Sequence, residues 1–260
     1  MNTFLYIIIF IMGSVFGSFL TLATYRIPLN DDITHKHSYC PKCNHKLNFL
    51  DMIPILSYIL LRGRCRYCKT KISPRYIIIE ILSGIAFVLL AIGLNVNIYT
   101  IKNATTIINF VLGVLYIVFL FLVAGIDKEH NKVDKGVLIY GFILAILNST
   151  YEYFYSENIN LNRIVIYLIM LVIVLMINLM QMKKKGKDQY SLNILIVCII
   201  MALITYEIAT IISIVFTLLI VAVKNILKGI FKIKSRTNLQ FAFYLCVSNV
   251  LSIILIYIIS

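Results

Sequence analysis

Four of the six cysteines stand in two pairs, Cys40-Pro-Lys-Cys43 and Cys65-Arg-Tyr-Cys68, with 21 residues between the pairs. Two residues between thiols is the spacing at which one tight turn aims both sulfurs at a single ion, and two such turns complete a tetrahedral thiolate shell. Zn²⁺ is the metal this donor set predicts; four unmetallated, redox-active thiols are the alternative. His35, His37 and His45 lie close by, but four cysteines already fill the shell. A second chemistry resides in the acids. Asp127 stands in Ala124-Gly125-Ile126-Asp127-Lys128-Glu129-His130, and Asp188 follows Lys185-Gly186-Lys187. Two carboxylates that share a proton can divide acid and base roles, one activating water while the other protonates a carbonyl oxygen or a leaving amine. By position alone these acids read equally as loop residues among lysines, and Asp134 competes for either role. Glu80 lies inside an apolar run, where an acid needs a partner; an ion pair with Arg75 or another base is the structural reading.

The elements that must hold these groups are apolar helices. The 260 residues are 61% hydrophobic with mean hydropathy +0.94, and only 13% are charged. Eight continuous apolar runs are expected to span a bilayer, at 3–25, 76–94, 104–124, 136–149, 163–182, 191–206, 208–227 and 239–259. Runs of this kind are helices, because they do not alternate and lipid leaves no backbone group unpaired. The basic residues test the map. Ten lie between Arg26 and Arg75, three at 128–135, four at 183–187 and five at 224–236, leaving only Lys102 and Arg163 for the alternate connections. That alternation puts the four basic connections in the cytosol and both termini outside. The formal net charge of +13 is therefore assigned to topology and lipid rather than to nucleic acid. The first run has no basic residue before it and no A-x-A-like site, so it is expected to remain as a span rather than be cleaved. Cys198 and Cys246 fall inside spans as small packing residues. No Walker loop, dinucleotide fingerprint, serine elbow or H-E-x-x-H is present. The expected architecture is an all-α polytopic membrane protein of about eight transmembrane helices with a cytosolic four-cysteine zinc-binding loop.

The chain also resembles a known family. Gly13-Ser14-Val15-Phe16-Gly17-Ser18-Phe19-Leu20 and Tyr25-Arg26-Ile27-Pro28 are similar to the opening of the type IV prepilin peptidases, the prepilin leader peptidase/N-methyltransferases. The cysteine pairs follow, separated by Asp51-Met52-Ile53-Pro54-Ile55-Leu56-Ser57-Tyr58 and Arg62-Gly63-Arg64, with Ile72-Ser73-Pro74-Arg75-Tyr76, Glu80 and Gly84 after them. The resemblance implies an aspartic endopeptidase of the bacterial inner membrane, with Asp127 and Asp188 as its catalytic pair facing the cytosol. It implies prepilins or pseudopilins as substrates, cut after the glycine that ends a basic leader. It further implies methylation of the new N-terminus from S-adenosylmethionine, with Gly63 at a position linked to methylation, and Cys40, Cys43, Cys65 and Cys68 as metal ligands. The division it suggests is a first helix (1–26), a zinc-binding loop (27–75) and a peptidase core (76–260).

Departures from the family pattern cluster near the second aspartate. Lys185 and Lys187 replace the glycines of G-x-G-D around Gly186, and Tyr190 stands where a lysine is usual. Asp134-Lys135 replaces Pro-Asp, and Thr21 replaces an asparagine. The rival expectations are a catalytically inactive assembly factor of a pilus or secretion system, and a transporter using Glu80 and Glu207.

Overall fold

In a computed structural model the chain is described at residues 2–33, 37–155, 187–205, 207–230 and 240–259, with the single positions 165, 167 and 169. The described residues form helices and turns, with only two isolated β-bridges. We number the helices α1 (Asn2–Arg26), α2 (Leu56–Leu60), α3 (Arg75–Gly93), α4 (Ala104–His130), α5 (Lys135–Tyr155), α6 (Lys187–Ile204), α7 (Glu207–Ile230) and α8 (Phe241–Ile259). Among the described residues, four stretches are long and apolar enough to cross a membrane: Asn2–Leu29, Arg75–Gly93, Ala104–His130 and Lys135–Tyr155. Three shorter apolar stretches follow, Tyr190–Ile204, Ile208–Lys224 and Phe241–Ile253. The expected span at 163–182 lies outside the described residues but for 165, 167 and 169. Two helices outrun their apolar cores. α4 continues to His130, where Asn131 takes a left-handed conformation (φ 50°) that ends it. α5 continues through Asn148 to Tyr155, with Asn148 donating to Glu152 one turn on. Glu152 is thus on a helix.

The chain packs as two compact units, Met1–Val114 and Leu115–Ser260. In the first, α1 lies directly on α3. A Cβ at Gly13 would come within 2.8 Å of the Gly84 Cα, and one at Gly17 within 2.9 Å of the Glu80 Cα. The helices therefore meet backbone to backbone along a small-xxx-small seam, the packing that works in lipid, where apolar burial alone gives no preference. Pro28 stops α1, and Arg26, buried at its last turn, donates to the Asp32 carbonyl at 2.8 Å and so starts the return of the loop.

The second unit is held by buried polar contacts between helices. Tyr116 on α4 donates to Asn249 Oδ1 on α8 at 2.7 Å, and Asn193 on α6 donates to the Val133 carbonyl at 3.2 Å. Thr210, Ser213 and Thr217 of α7, like Ser248, Asn249 and Ser252 of α8, are buried. Ser213, Thr217 and Ser252 return their hydroxyls to their own helices, which lets these polar residues sit among apolar ones.

Candidate functional site

The two cysteine pairs form two copies of one turn. Cys40 N–H donates to the His45 carbonyl and Asn44 N–H to the Cys40 carbonyl; Cys65 N–H donates to Thr70 and Lys69 N–H to Cys65 in the same way. Four residues after the first cysteine of each pair the backbone turns left-handed, at Asn44 (φ 54°) and Lys69 (φ 58°). A one-pair bridge closes each turn, Tyr39 with Lys46 and Arg64 with Lys71. The result is a cluster whose four sulfurs lie within 4.8 Å of one another, with Cys40 Sγ and Cys68 Sγ 3.8 Å apart. A tetrahedral Zn²⁺ with bonds of about 2.3 Å has sulfur–sulfur edges of about 3.8 Å, so the cluster fits such an ion. Four sulfurs this close do not ionise alike. Hydrogen bonds from the Thr70 hydroxyl and backbone bring Cys68 down to about 6. Cys43 is pushed up to about 11: the His45 backbone works against this, but burial and the neighbouring Cys68 and Cys40 sulfurs outweigh it.

A polar clamp joins the turns. Asp51 has a side chain 2% exposed and pairs with Arg66 Nε at 2.6 Å. Burial works to raise its carboxyl, yet Arg66, Asn48 and Tyr67 hold it below the ordinary value. Its other oxygen accepts the Asn48 N–H in a capping box, and the His45 ring lies 3.5 Å from that of Tyr67. Gly63 precedes the second turn at φ +64°, and a Cβ there would meet the Tyr58 hydroxyl at 2.9 Å. Gly63 thus answers to a backbone demand, since its left-handed conformation and the Tyr58 hydroxyl above it both disfavour a side chain. Glu80, buried on α3, accepts the Ile55 N–H at 2.8 Å. Ile55 is itself at φ 63°, an unusual conformation for a β-branched residue. The ion pair expected for Glu80 is in this structure a tie to the backbone of the loop.

The carboxylate site is in the second unit. Asp127 is fully buried three residues before the end of α4. Its Oδ1 accepts the Tyr190 hydroxyl at 2.8 Å, and its Oδ2 accepts the Phe243 N–H, also at 2.8 Å. The Tyr190 oxygen in turn accepts the N–H groups of Phe241 and Ala242 at 3.1 and 3.3 Å. Asp127 and Tyr190 together therefore cap the N-terminus of α8, where unpaired N–H groups and the helix dipole favour negative charge. Gln240 returns the contact by donating to the Lys128 carbonyl at the end of α4, at 2.8 Å. Lys128 lies over the Phe243 ring at 4.8 Å.

Asp188 lies in the first turn of α6; its side chain is outside the described residues. Tyr190 carries that turn to α4, but positions 188 and 190 lie about 200° apart round a helix, so this contact places the turn and not the Asp188 carboxylate. Asp134 accepts the Gly136 N–H at 2.8 Å and caps α5. The residues that sequence reasoning undervalued are Tyr190, Gln240 and Asp51. Only Asp51 had a local signal, an Asn-x-x-Asp capping pattern; Tyr190 appeared merely as a departure from the family.

Residues 11–94 match the family model of the bacterial peptidase A24 N-terminal domain. The chain is 42% identical over 81 residues to the prepilin leader peptidase/N-methyltransferase of Myxococcus xanthus, covering 31% of this chain and 24% of that one. The protein of the same name from Klebsiella pneumoniae is 29% identical over 152 residues, 55% of this chain and 62% of its own. The one from Vibrio cholerae is 40% identical over 87 residues, 30% of this chain and 34% of its own. The matches thus span less than two thirds of each of these relatives. No solved structure matches significantly. The resemblance read from the motifs is borne out, and it is densest over the seam and the cysteine loop.

Proposed function

We propose that this similarity to prepilin leader peptidases extends to activity: the chain is an aspartic endopeptidase of the bacterial inner membrane, with about eight spans, that removes the leader of type IV prepilins or pseudopilins. Residues 76–260 would form the peptidase core, open to the cytosol, and residues 27–75 the zinc loop. The observation that carries this reading is Asp127, a fully buried carboxylate at a helix end with both oxygens engaged by fixed donors. A buried acid at the end of a membrane span is rare and is a functional candidate by default.

In the proposed reaction one carboxylate of the Asp127–Asp188 pair takes a proton from water as its oxygen attacks the scissile carbonyl carbon. The other carboxyl gives its proton to the carbonyl oxygen. The tetrahedral diol then collapses, the C–N bond breaks, and the proton returns to the leaving nitrogen. The fixed donors on Asp127 hold its orientation through both transfers. Zn²⁺ on Cys40, Cys43, Cys65 and Cys68 would order the loop and takes no part in these steps. Methylation of the new N-terminus from S-adenosylmethionine would follow, as the relatives' name suggests.

The test is cleavage of a prepilin by the purified protein in detergent, read by mass, beside the Asp127→Asn/Asp188→Asn double variant. A cut after the leader glycine, lost in the variant, is expected. No cut across several prepilins, by a monodisperse metal-loaded protein, would favour an inactive assembly factor.

A further inference from the structure

The cysteine loop carries an apolar face that the described residues of its own unit leave exposed. In α2, Leu56, Ile59 and Leu60 are spaced i, i+3, i+4 and therefore share one side, at 57%, 58% and 79% exposure. Phe49 and Leu50, on the preceding turn, are 78% and 64% exposed, and Met52 is 41% exposed. So many large apolar residues on one short segment mark a contact surface rather than incidental exposure.

Where this segment is held identifies what covers it. Glu80 is the sixth residue of α3, the 19-residue stretch Arg75–Gly93 that is long enough to cross a bilayer. A helix of that length is about 28 Å long, close to the hydrocarbon thickness of a membrane, and its sixth residue lies about 8 Å in from its first. Glu80 accepts the N–H of Ile55, the residue immediately before α2. The apolar helix is thereby fastened beside the end of a membrane span, at the depth where amphipathic segments insert. Exposed Lys46, Arg62 and Arg64 flank the segment and complement anionic headgroups. We propose that Phe49, Leu50, Met52, Leu56, Ile59 and Leu60 sit in the bilayer interface at the end of α3, making the metal loop a membrane-embedded platform. The occupant of this face is lipid.

The chain contains no tryptophan, so one introduced residue reports alone. The full-length protein is reconstituted as Phe49→Trp, as Leu60→Trp, and as Lys42→Trp in the first cysteine turn, in phosphatidylcholine/phosphatidylglycerol vesicles with and without brominated acyl chains. Metal content equal to the parent's shows that each variant is folded. Positions 49 and 60 are expected to emit blue-shifted light and to lose about half or more of it to the brominated lipid, while position 42 emits as in water. Water-like, unquenched emission at 49 and 60 would overturn the proposal. So would a blue shift without quenching, which means cover by protein, and so would equal quenching at position 42, which removes the distinction between faces.

Discussion

The two units reach their chemistry by opposite routes. The cysteine site is made from neighbours: each turn closes on itself through hydrogen bonds spanning four or five residues, and an ion pair ties the second turn to Asp51, between the two. The carboxylate site is made from strangers: Asp127 is held by residues 63 and 116 positions away in the chain. A local site tolerates change elsewhere in the molecule but needs every one of its own ligands. A distributed site has no ligand set to read, and depends on three helices arriving together.

That contrast can be broken most sharply at the carboxylate. Asp127→Asn is expected to reduce prepilin cleavage about a thousandfold or more while the protein remains monodisperse, because an amide cannot exchange the proton. Cleavage retained in this variant would remove Asp127 from the reaction. Cys65→Ala is expected to reduce bound zinc from one equivalent to nearly none by elemental analysis, since three thiolates leave an open, weaker site; a parent protein with no bound metal would end the zinc assignment.

Finer tests sharpen the comparison. Tyr190→Phe removes the donor to Asp127 and the acceptor for two N–H groups of α8. Cleavage should drop about ten- to a hundredfold, consistent with the loss of about 1–3 kcal/mol for polar groups left unpaired, and zinc content should not change. Gly63→Ala forces a Cβ into the left-handed region against Tyr58, at a cost of about 1–2 kcal/mol. It should speed zinc loss to a chelator and leave the Asp127 network intact. The smallest effect belongs to Asp51. Its carboxyl titrates below the ordinary carboxylate range, so its contribution is present at neutral pH and lost as pH falls through that lowered value. With Arg66 half exposed, the contribution is on the order of 1 kcal/mol or less. The thermal midpoints of wild type and Asp51→Asn should differ slightly at neutral pH and converge in acid.

How much of this was legible in the sequence follows the same division. The cysteine turns were readable because two-residue spacing encodes their geometry; the α1–α3 seam was not, since Gly13 and Gly17 do not by themselves say which helix they meet. Helix ends were less so: hydropathy closes α4 near residue 124, whereas the helix runs to His130 through charged residues whose backbone still prefers it. The cap that Asp134 gives α5 was not legible, because hydropathy does not mark where that helix begins. Tyr190 was unreadable as a partner because the N-terminus it helps to cap lies some fifty residues downstream, and no pattern along the chain announces a cap supplied from elsewhere.

The borrowed cap on α8 has a consequence in time. Synthesis runs from the N-terminus, so Asp127 and Tyr190 are in place before Phe241 is made. Until α8 docks, the carboxylate lacks the Phe243 N–H that fixes one of its oxygens. A nascent or truncated chain that stops short of α8 therefore carries Asp127 without one of the donors that hold it in the folded protein.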